Sequence, residues 1–323
     1  MIKGLAITPP VIGRISIGHL VQKGEKWVPE KDDSFTLTTQ VQGRNGWVLH
    51  PLHQQYSEQA ANGKLRAIPV RLLFNDSELN LRAEYSAFDR SSGRPVCVGN
   101  GETARRITTE GLEEMACPGP DRCPFANQAG CKLYGRLNVQ IDGQQDELGS
   151  FIFRTTGYNS VRTLAARLRY FEAVSGQATR YLPLLLRLRA KSTTLSYRTP
   201  VYYVDLTLRD DSTLAQSVLA ARQEAERQQE AGVDTEALEA MARALLGNGQ
   251  FEETEEDIPQ MLEEFYPEAE TDNPPAQTGD MASPATAAVK TKPTTPIRQS
   301  RLTSKLGSAS TTSNQTPSTA TTA

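Results

Sequence analysis

Apolar and polar residues alternate over much of the first 209 positions of the chain. In 66–74, for example, Ile68, Val70 and Leu72 occupy every second position. A repeat of two residues is typical of a strand with one buried face. The pattern predicts strands at 2–8, 11–21, 34–41, 66–74, 79–88, 94–98, 133–141, 148–156, 183–191 and 201–208. Because these strands are joined by short, turn-forming connections, we expect mainly antiparallel pairing.

A helical repeat of apolar residues occurs in the same region, at 160–175. The apolar positions of one helix face are Val161, Leu164, Leu168 and Phe171. Asn159 or Ser160 is expected to cap the N-terminus and Gly176 to end the helix. Many strands with one strong helix predict an α+β fold rich in antiparallel strands.

The composition changes after residue 209. Residues 212–246 are rich in Ala, Glu, Gln, Leu and Arg and predict two helices split at 231–234, with Asp234 capping the second. Residues 251–272 hold ten acidic residues and no basic one, and 273–323 consist mainly of Thr, Ser, Ala and Pro. Such a tail has too little apolar surface to offset its ordering entropy. We therefore expect an α+β metal-binding domain at 1–209, a helical segment at 210–250 and a disordered tail at 251–323.

Charge divides the chain into a basic front and an acidic back. Residues 1–209 carry 27 Lys and Arg against 19 Asp and Glu, whereas 210–323 carry 8 against 19. Such an asymmetry points to nucleic-acid contact or to an interaction tail. The acidic stretch 251–272 has two interpretations, namely a solvated linker or a short amphipathic helix that docks on a basic partner.

The chain shows no pattern of a secreted or membrane protein. The apolar run after Met1 is short and ends at Pro9-Pro10, and no stretch approaches the roughly 20 apolar residues of a membrane helix. We expect a cytoplasmic protein with no membrane partner. In a reducing compartment, clustered cysteines are more often metal ligands than disulfides.

Four cysteines occur within 35 residues, and the chain has no others: Cys97, Cys117, Cys123 and Cys131. Four thiolates bind one Zn²⁺ tetrahedrally and leave no open position for water. The pattern predicts a structural zinc site, with an iron–sulfur cluster or buried unliganded cysteines as alternatives. Cys97 is the least secure ligand, because nineteen residues separate it from the next cysteine.

Two histidines are the reserve ligands for Cys97. They are His50 and His53, and Pro51 between them argues against a helix that would present both on one face. Surface or hydrogen-bonded histidines are the competing interpretation. No nucleophile–base pair or phosphate-binding loop is present, so the sequence favours a protein that is not an enzyme. A metal-dependent hydrolase is a weaker alternative, which needs one of these histidines beside a metal with an open position.

Basic residues are concentrated between 150 and 209, a stretch that contains ten Lys and Arg but only two acidic residues, Glu172 and Asp205. The candidate nucleic-acid or partner surface consists of Arg162, Arg169, Arg187, Arg189 and Lys191. Such a surface could follow phosphates, since neutralising them releases counterions. A solvated strand face beside a solvated helix face is the other interpretation.

Three short motifs, in order, resemble a known family. They are Cys117-Pro-x4-Cys123-Pro-x6-Cys131-Lys-Leu-Tyr-Gly, then Asn159-Ser-Val-Arg-Thr-Leu, and then Leu182-Pro-Leu-Leu-Leu-Arg with the 201–204 strand. In that order they resemble the phage recombination directionality factors that partner large serine integrases. They are similar also to proteins of integrative elements labelled as hydrolases or metal-binding proteins. The resemblance covers roughly residues 1–209.

The resemblance implies a zinc-bearing accessory protein that binds a recombinase and changes which DNA sites it joins. Such factors act mainly through protein contact. The expected function is therefore a non-enzymatic partner of an integrase in a mobile genetic element. A DNA-binding module of element replication or repair is the alternative.

Overall fold

A computed structural model describes residues 10–246 except 24–25, 44–45, 193 and 195–196, and it describes 19–32 and 245–246 by their backbone only. The predicted strand 2–8, the acidic stretch 251–272 and the tail 273–323 lie outside the described residues. All described residues belong to one compact unit.

Twelve strands and six α-helices make up the described part of the chain. The strands are β1 (Val11–Lys23), β2 (Lys26–Gly43), β3 (Gly46–Leu49), β4 (Ala67–Arg71), β5 (Leu81–Phe88), β6 (Pro95–Gly99), β7 (Thr103–Thr108), β8 (Gly111–Ala116), β9 (Lys132–Ile141), β10 (Ser150–Thr155), β11 (Leu184–Lys191) and β12 (Val201–Leu208). The helices are α1 (Pro51–Gln59), α2 (Ser77–Asn80), α3 (Pro124–Ala129), α4 (Tyr158–Ser175), α5 (Leu214–Glu230) and α6 (Thr235–Leu246). Short 3₁₀ turns lie at Ala61–Gly63, Pro120–Arg122 and Thr179–Tyr181.

The strands form one branched sheet. Its main row runs β3-β2-β1-β10-β9-β5-β6-β7-β8, and β4 leaves β9 to pair with β11, which in turn pairs with β12. The β1–β10 pair is parallel, and the other described pairs are antiparallel. The α+β class is confirmed, with one parallel pair that the connection lengths did not predict.

The core lies between one face of the main row, the β4–β11–β12 branch and helix α4. Leu137, Phe153 and Leu186 from the sheet meet Leu164 and Leu168 from α4, and all five are at most 1% exposed. Burying each such side chain contributes about 1.5–3 kcal/mol. The predicted apolar face of α4 is confirmed.

The predicted start of α4 is wrong, and its predicted end is right. The N-cap is Gly157, which has no capping side chain. Ser160 is instead buried, and its hydroxyl accepts a hydrogen bond from the Val204 amide at 3.0 Å. Gly176 ends the helix with a φ of 65°, a backbone conformation that glycine adopts without strain.

Strands β7 and β8 were not predicted. Ala104 is their one fully buried residue, whereas the apolar Ile107 and Leu112 are exposed. Two cross-strand pairs match opposite charges, Arg105 with Glu114 and Arg106 with Glu113, while Ile107 lies opposite Leu112, and the apolar residues of the two strands do not alternate with polar ones. An apolar repeat therefore gives no signal for this hairpin.

Helices α5 and α6 pack against the strand-rich part of the chain. Ala221 of α5 is buried in the main core, and Ala242 of α6 packs with Leu73, Phe74 and Leu79. The split between the two helices is confirmed, and the Asp234 carboxylate accepts from the Ala237 amide at 2.8 Å as the predicted cap.

Candidate functional site

The β7–β8 hairpin brings Cys117 back to Cys97. Cys97 lies on β6, and Cys117 follows β8 directly. A Cβ atom added to Gly99, two residues after Cys97, would lie 2.7 Å from the Cys117 sulfur. The nineteen residues between these two cysteines are thus a strand pair that returns the chain to its starting strand.

The other two cysteines flank the short helix α3. Cys123 is its N-cap residue, and Gly130 ends it with a φ of 67°. The Cys131 amide donates to the Ala126 carbonyl at 3.1 Å, which holds Cys131 at the start of β9. Cys117 and Cys131 pack against the buried cluster that contains Cys97.

Arg106 lies among the cysteines. Its Nε is 3.5 Å from the Cys97 sulfur and its Nη2 is 3.5 Å from the Cys123 sulfur. The guanidinium carbon also sits 4.0 Å from the centre of the Phe125 ring. A cation therefore lies beside two of the four predicted ligands.

The thiols differ in their acidity. Burial raises the pKa of Cys131 to about 11, and Cys97, Cys117 and Cys123 nearby add to the rise. Burial also opposes ionisation of Cys123, but the backbone N–H of Ala126 and the Arg106 guanidinium outweigh it and lower that pKa. The pKa values of Cys123 and Cys131 thus shift in opposite directions.

The structure does not show the predicted four-cysteine metal site. Within the described ranges, no group of three or more His, Cys, Asp or Glu side chains has the geometry of a metal site. The sulfurs of Cys97 and Cys123 instead accept from Arg106. The donor set of four thiols nevertheless matches the preference of zinc.

The two reserve histidines, His50 and His53, accept hydrogen bonds from backbone amides. Pro51 begins helix α1, where proline is well accommodated at the first helical position, so His53 lies in the helix while His50 is its N-cap residue. Nδ1 of His50 accepts from the Leu52 amide at 3.2 Å, and Nδ1 of His53 accepts from the Leu37 amide at 3.3 Å. The hydrogen-bonded interpretation is confirmed.

Because of these two histidines, we expect the free energy of unfolding to fall in mild acid. Burial lowers the pKa of both His50 and His53 below the ordinary value of 6.5. Below pH 6.5 the unfolded chain therefore binds more protons than the folded one, so the free energy of unfolding falls as the pH drops through 6.5 towards the lowered values. Above pH 6.5 the two groups add no pH dependence.

Urea unfolding at pH 7.5 and pH 5.5 measures this effect. The doubly substituted His50→Asn/His53→Asn protein keeps hydrogen-bond acceptors without titrating, so its stability should fall less between the two pH values than that of the wild type. Equal falls in both proteins contradict the assignment.

A groove of about 470 Å³ lies between α4 and the β11–β12 pair. Its lining consists of Asn159, Arg162, Thr163, Ala166, Arg167, Tyr170, Lys191 and Tyr203. Lys191 Nζ donates to the Asn159 side chain at 2.5 Å, which links the strand to the start of the helix. The groove combines cations with two tyrosine rings.

Carboxylates neutralise three of the five predicted surface cations. Arg187 pairs with Asp210, Arg189 with Asp205 at 2.6 Å, and Arg169 with Glu78 at 3.7 Å. Arg162 and Lys191 are exposed and line the groove. The spacing of the basic residues was visible in the sequence, but the carboxylates that pair with them come from distant positions of the chain and were not predicted.

Arg167 is a groove residue that the sequence reasoning missed. Its Nε lies 3.0 Å from the Asp205 carboxylate, which is buried and also binds Arg189. One carboxylate thus holds helix α4 and strand β11 at a fixed separation. A partial signal was present, since Arg167 belongs to the same helix as Arg162.

None of the described helices is long and apolar enough to cross a membrane.

Comparison with known proteins gives a family match. No curated protein and no solved structure matches the chain significantly. The family model described as Gp3-like, recombination directionality factor-like matches residues 12–209, from β1 to the end of β12. This description supports an accessory role in DNA recombination and names no class of enzyme. Because the match spans more than half of the 323 residues, the chain belongs to the Gp3-like family of recombination directionality factor-like proteins.

Proposed function

We propose that this protein is a non-enzymatic accessory factor of a mobile genetic element that binds a large serine integrase and changes its choice of DNA sites. The family match over residues 12–209 carries this proposal. Both the cysteine cluster and the basic groove fall inside the matched region. In this proposal the fold holds a surface for the partner and carries out no reaction of its own.

The groove between α4 and β11–β12 is the proposed contact surface for the integrase. Arg162 and Lys191 offer exposed charge, and Tyr170 and Tyr203 offer aromatic surface. Arginine and tyrosine are enriched at protein interfaces because they combine apolar area with hydrogen bonding. The Arg167–Asp205–Arg189 network fixes the two walls before any partner binds.

Charge reversal in the groove tests this surface. Arg162→Glu/Lys191→Glu is expected to weaken binding to the integrase of the same element at least about tenfold, because like charges across an interface cost roughly several kcal/mol. The matched control is Arg169→Glu, on the same helix but paired with Glu78 outside the groove. Binding is measured by surface plasmon resonance, and the choice of DNA sites is measured by a recombination assay on paired attachment sites.

The control separates a surface effect from a general charge effect. Arg169→Glu should retain both binding and site choice. If the wild-type protein neither binds the integrase nor alters recombination, the proposed function fails.

A DNA-binding module in element replication or repair is the second candidate. The observation in its favour is the same groove, where two exposed cations stand beside tyrosine rings that could stack on bases. A DNA module should bind duplex or single-stranded DNA with an affinity that falls steeply with salt. Integrase binding without a salt-dependent DNA complex favours the first candidate.

We propose further that Cys97, Cys117, Cys123 and Cys131 bind one structural Zn²⁺, with an iron–sulfur cluster as the alternative. Three of the thiols, Cys97, Cys117 and Cys131, meet at one buried cluster, and the Cys123 sulfur lies close enough to raise the pKa of Cys131, which supports this. A bound zinc would supply cross-linking rather than catalysis, since four thiolates complete its coordination. It would join β6, the end of β8, the start of α3 and β9.

A further inference from the structure

The groove between α4 and the β11–β12 pair carries more positive than negative charge. Three cations line it, namely Arg162, Arg167 and Lys191, and none of its described lining residues is acidic. The buried Asp205 gives one carboxylate to both Arg167 and Arg189. The groove and its support thus hold four cations against one carboxylate.

Two cations of the groove, Arg162 and Lys191, have no acidic partner within the described part of the chain. Both side chains are exposed. Lys191 Nζ donates to the side-chain oxygen of Asn159, which carries no charge. A carboxylate from outside the described residues can therefore pair with either cation without breaking an existing ion pair.

The groove also offers apolar surface beside these charges. The Tyr170 side chain is 52% exposed, Ala166 is exposed one turn before it on α4, and Tyr203 on β12 is half-buried. Aromatic side chains and arginine are enriched together at protein interfaces. The complementary occupant is therefore a segment that carries both acidic and apolar side chains.

We infer that residues 251–270 of the same chain, here called the acidic segment, dock in this groove and must leave it before another partner binds there. The acidic segment carries nine acidic residues and no basic one. Its apolar residues Ile258, Met261, Leu262 and Phe265 have the spacing of one helix face. An amphipathic helix binds in a groove through such a face.

The end of helix α6 lies close to one end of the groove. Arg243, near the C-terminus of α6, pairs with Asp76 at 2.7 Å. Two residues further along the chain, the Glu78 carboxylate lies 3.7 Å from Arg169 of α4. Arg169 directly precedes Tyr170, which lines the groove. The chain therefore leaves α6 beside the part of α4 that borders the groove.

The lengths of the linker and of the groove are compatible with this docking. Residues 247–257 can span about 35 Å when extended. The groove follows α4 from Tyr170 back to Asn159, about 17 Å at the helical rise of about 1.5 Å per residue. A helix over 258–266 has a length of about 14 Å by the same rise. The acidic segment therefore reaches the groove and fits within it.

The covalent connection favours the acidic segment over a separate molecule. A segment joined by a short linker is present at an effective concentration on the order of millimolar. A separate acidic protein or a nucleic acid must overcome that competition to bind in the groove. The docking itself does not depend on the proposed function, whereas its regulatory effect rests on the proposed contact between this groove and the integrase.

Hydrogen–deuterium exchange of the full-length protein tests the docking from the side of the groove. We expect the amides of 258–266 to exchange at least roughly tenfold more slowly in the wild type than in Arg162→Gln/Lys191→Gln, because a docked segment exchanges only when it is released. Both substituted side chains are exposed, so the variant should remain folded. The matched control is Arg222→Gln, at an exposed position of α5, and it should keep the protection.

The same measurement on a carboxylate variant tests the docking from the side of the segment. This variant should also lose the protection, and it carries Glu255→Gln, Glu256→Gln, Glu263→Gln and Glu264→Gln. Its matched control carries Glu226→Gln and Glu230→Gln at exposed positions of α5 and should keep the protection.

Protection that survives in either the groove variant or the carboxylate variant overturns the docking. A wild-type segment that exchanges as fast as the segment of the variants overturns it as well. If Arg162→Gln/Lys191→Gln then also abolishes a salt-dependent complex with DNA, the occupant of the groove is a nucleic acid instead.

Binding to the integrase of the same element tests the regulatory effect separately. The carboxylate variant keeps Arg162 and Lys191 but frees the groove, so it should bind the integrase at least about threefold more tightly than the wild type, because the fraction of open grooves limits the apparent affinity. An unchanged affinity in a variant whose segment is released overturns the regulation. A protected segment in a protein that binds no integrase supports the docking and contradicts the proposed function instead.

Discussion

Gly135→Ala is expected to destabilise the protein by about 1–3 kcal/mol, the usual cost of forcing extra volume into a packed core. Alanine is normally better than glycine in a strand, so the sign is unusual. A Cβ atom at position 135 would lie 2.7 Å from Cγ2 of Val161, closer than such atoms approach in proteins. Helix α4 rests directly on β9 at this point and cannot retreat without opening the core.

A second substitution identifies the cause. Val161→Ala removes the clashing methyl groups, so the double variant Gly135→Ala/Val161→Ala should be more stable than the sum of the two single effects implies. Gly43→Ala is the matched control, because its added Cβ would meet no atom closer than 3.7 Å. Urea unfolding of the four proteins gives the coupling energy. Additive effects, or an unchanged stability of Gly135→Ala, contradict the close helix–sheet contact.

This contact shows which parts of the fold local sequence patterns can predict. Alternation located β9, and a helical repeat located α4, because each element has one apolar face. The contact between Gly135 and Val161 depends on how the two faces meet across 26 residues of chain, which no local period records. The first two family motifs contain these residues, so each motif contributes one side of this packing contact.

Charged side chains were the harder part of the prediction. Arg187 and Arg189 were expected on a common basic face, and they lie on β11, but Asp210 and Asp205 pair with them. Arg82 and Arg136 alternate with core residues and therefore resemble solvent-facing positions, yet Arg136 is buried. A repeat of two separates the faces of a strand but does not tell whether the second face meets water.

The arrangement of the four cysteines was predictable from the sequence in part only. The four members of the cluster were evident from their positions within 35 residues of the sequence. The approach of Cys97 to Cys117 depends on the β7–β8 hairpin, whose apolar residues do not alternate with polar ones. Arg106 on this hairpin reaches two sulfurs, and sequence spacing gave no indication of that contact.

Purified protein is expected to contain about one zinc per chain and to lose several kcal/mol of stability when the metal is removed, since binding energy at a structural zinc site is folding energy. The proposed ligands tie β6 and the end of β8 to α3 and β9, so loss of metal should loosen the β7–β8 hairpin first. Trypsin cleavage after Arg105 or Arg106 reports this loosening. Elemental analysis and chelator-induced shifts in the melting temperature report the metal.

Two variants separate zinc binding from the Arg106 contacts as the source of that stability. Cys131→Ser removes a proposed ligand that Arg106 does not contact, so it should abolish zinc binding and expose the hairpin to trypsin. Arg106→Gln removes the cation beside Cys97 and Cys123 while leaving all four thiols, so its zinc content should stay near one per chain. If the Arg106–thiol contacts rather than zinc stabilise the hairpin, the wild-type protein should contain no metal and Arg106→Gln should be clearly less stable than the wild type. Iron together with visible absorbance would identify an iron–sulfur cluster. A stable protein with neither zinc nor iron would contradict the metal site and assign the stability of the hairpin to the arginine–thiol contacts.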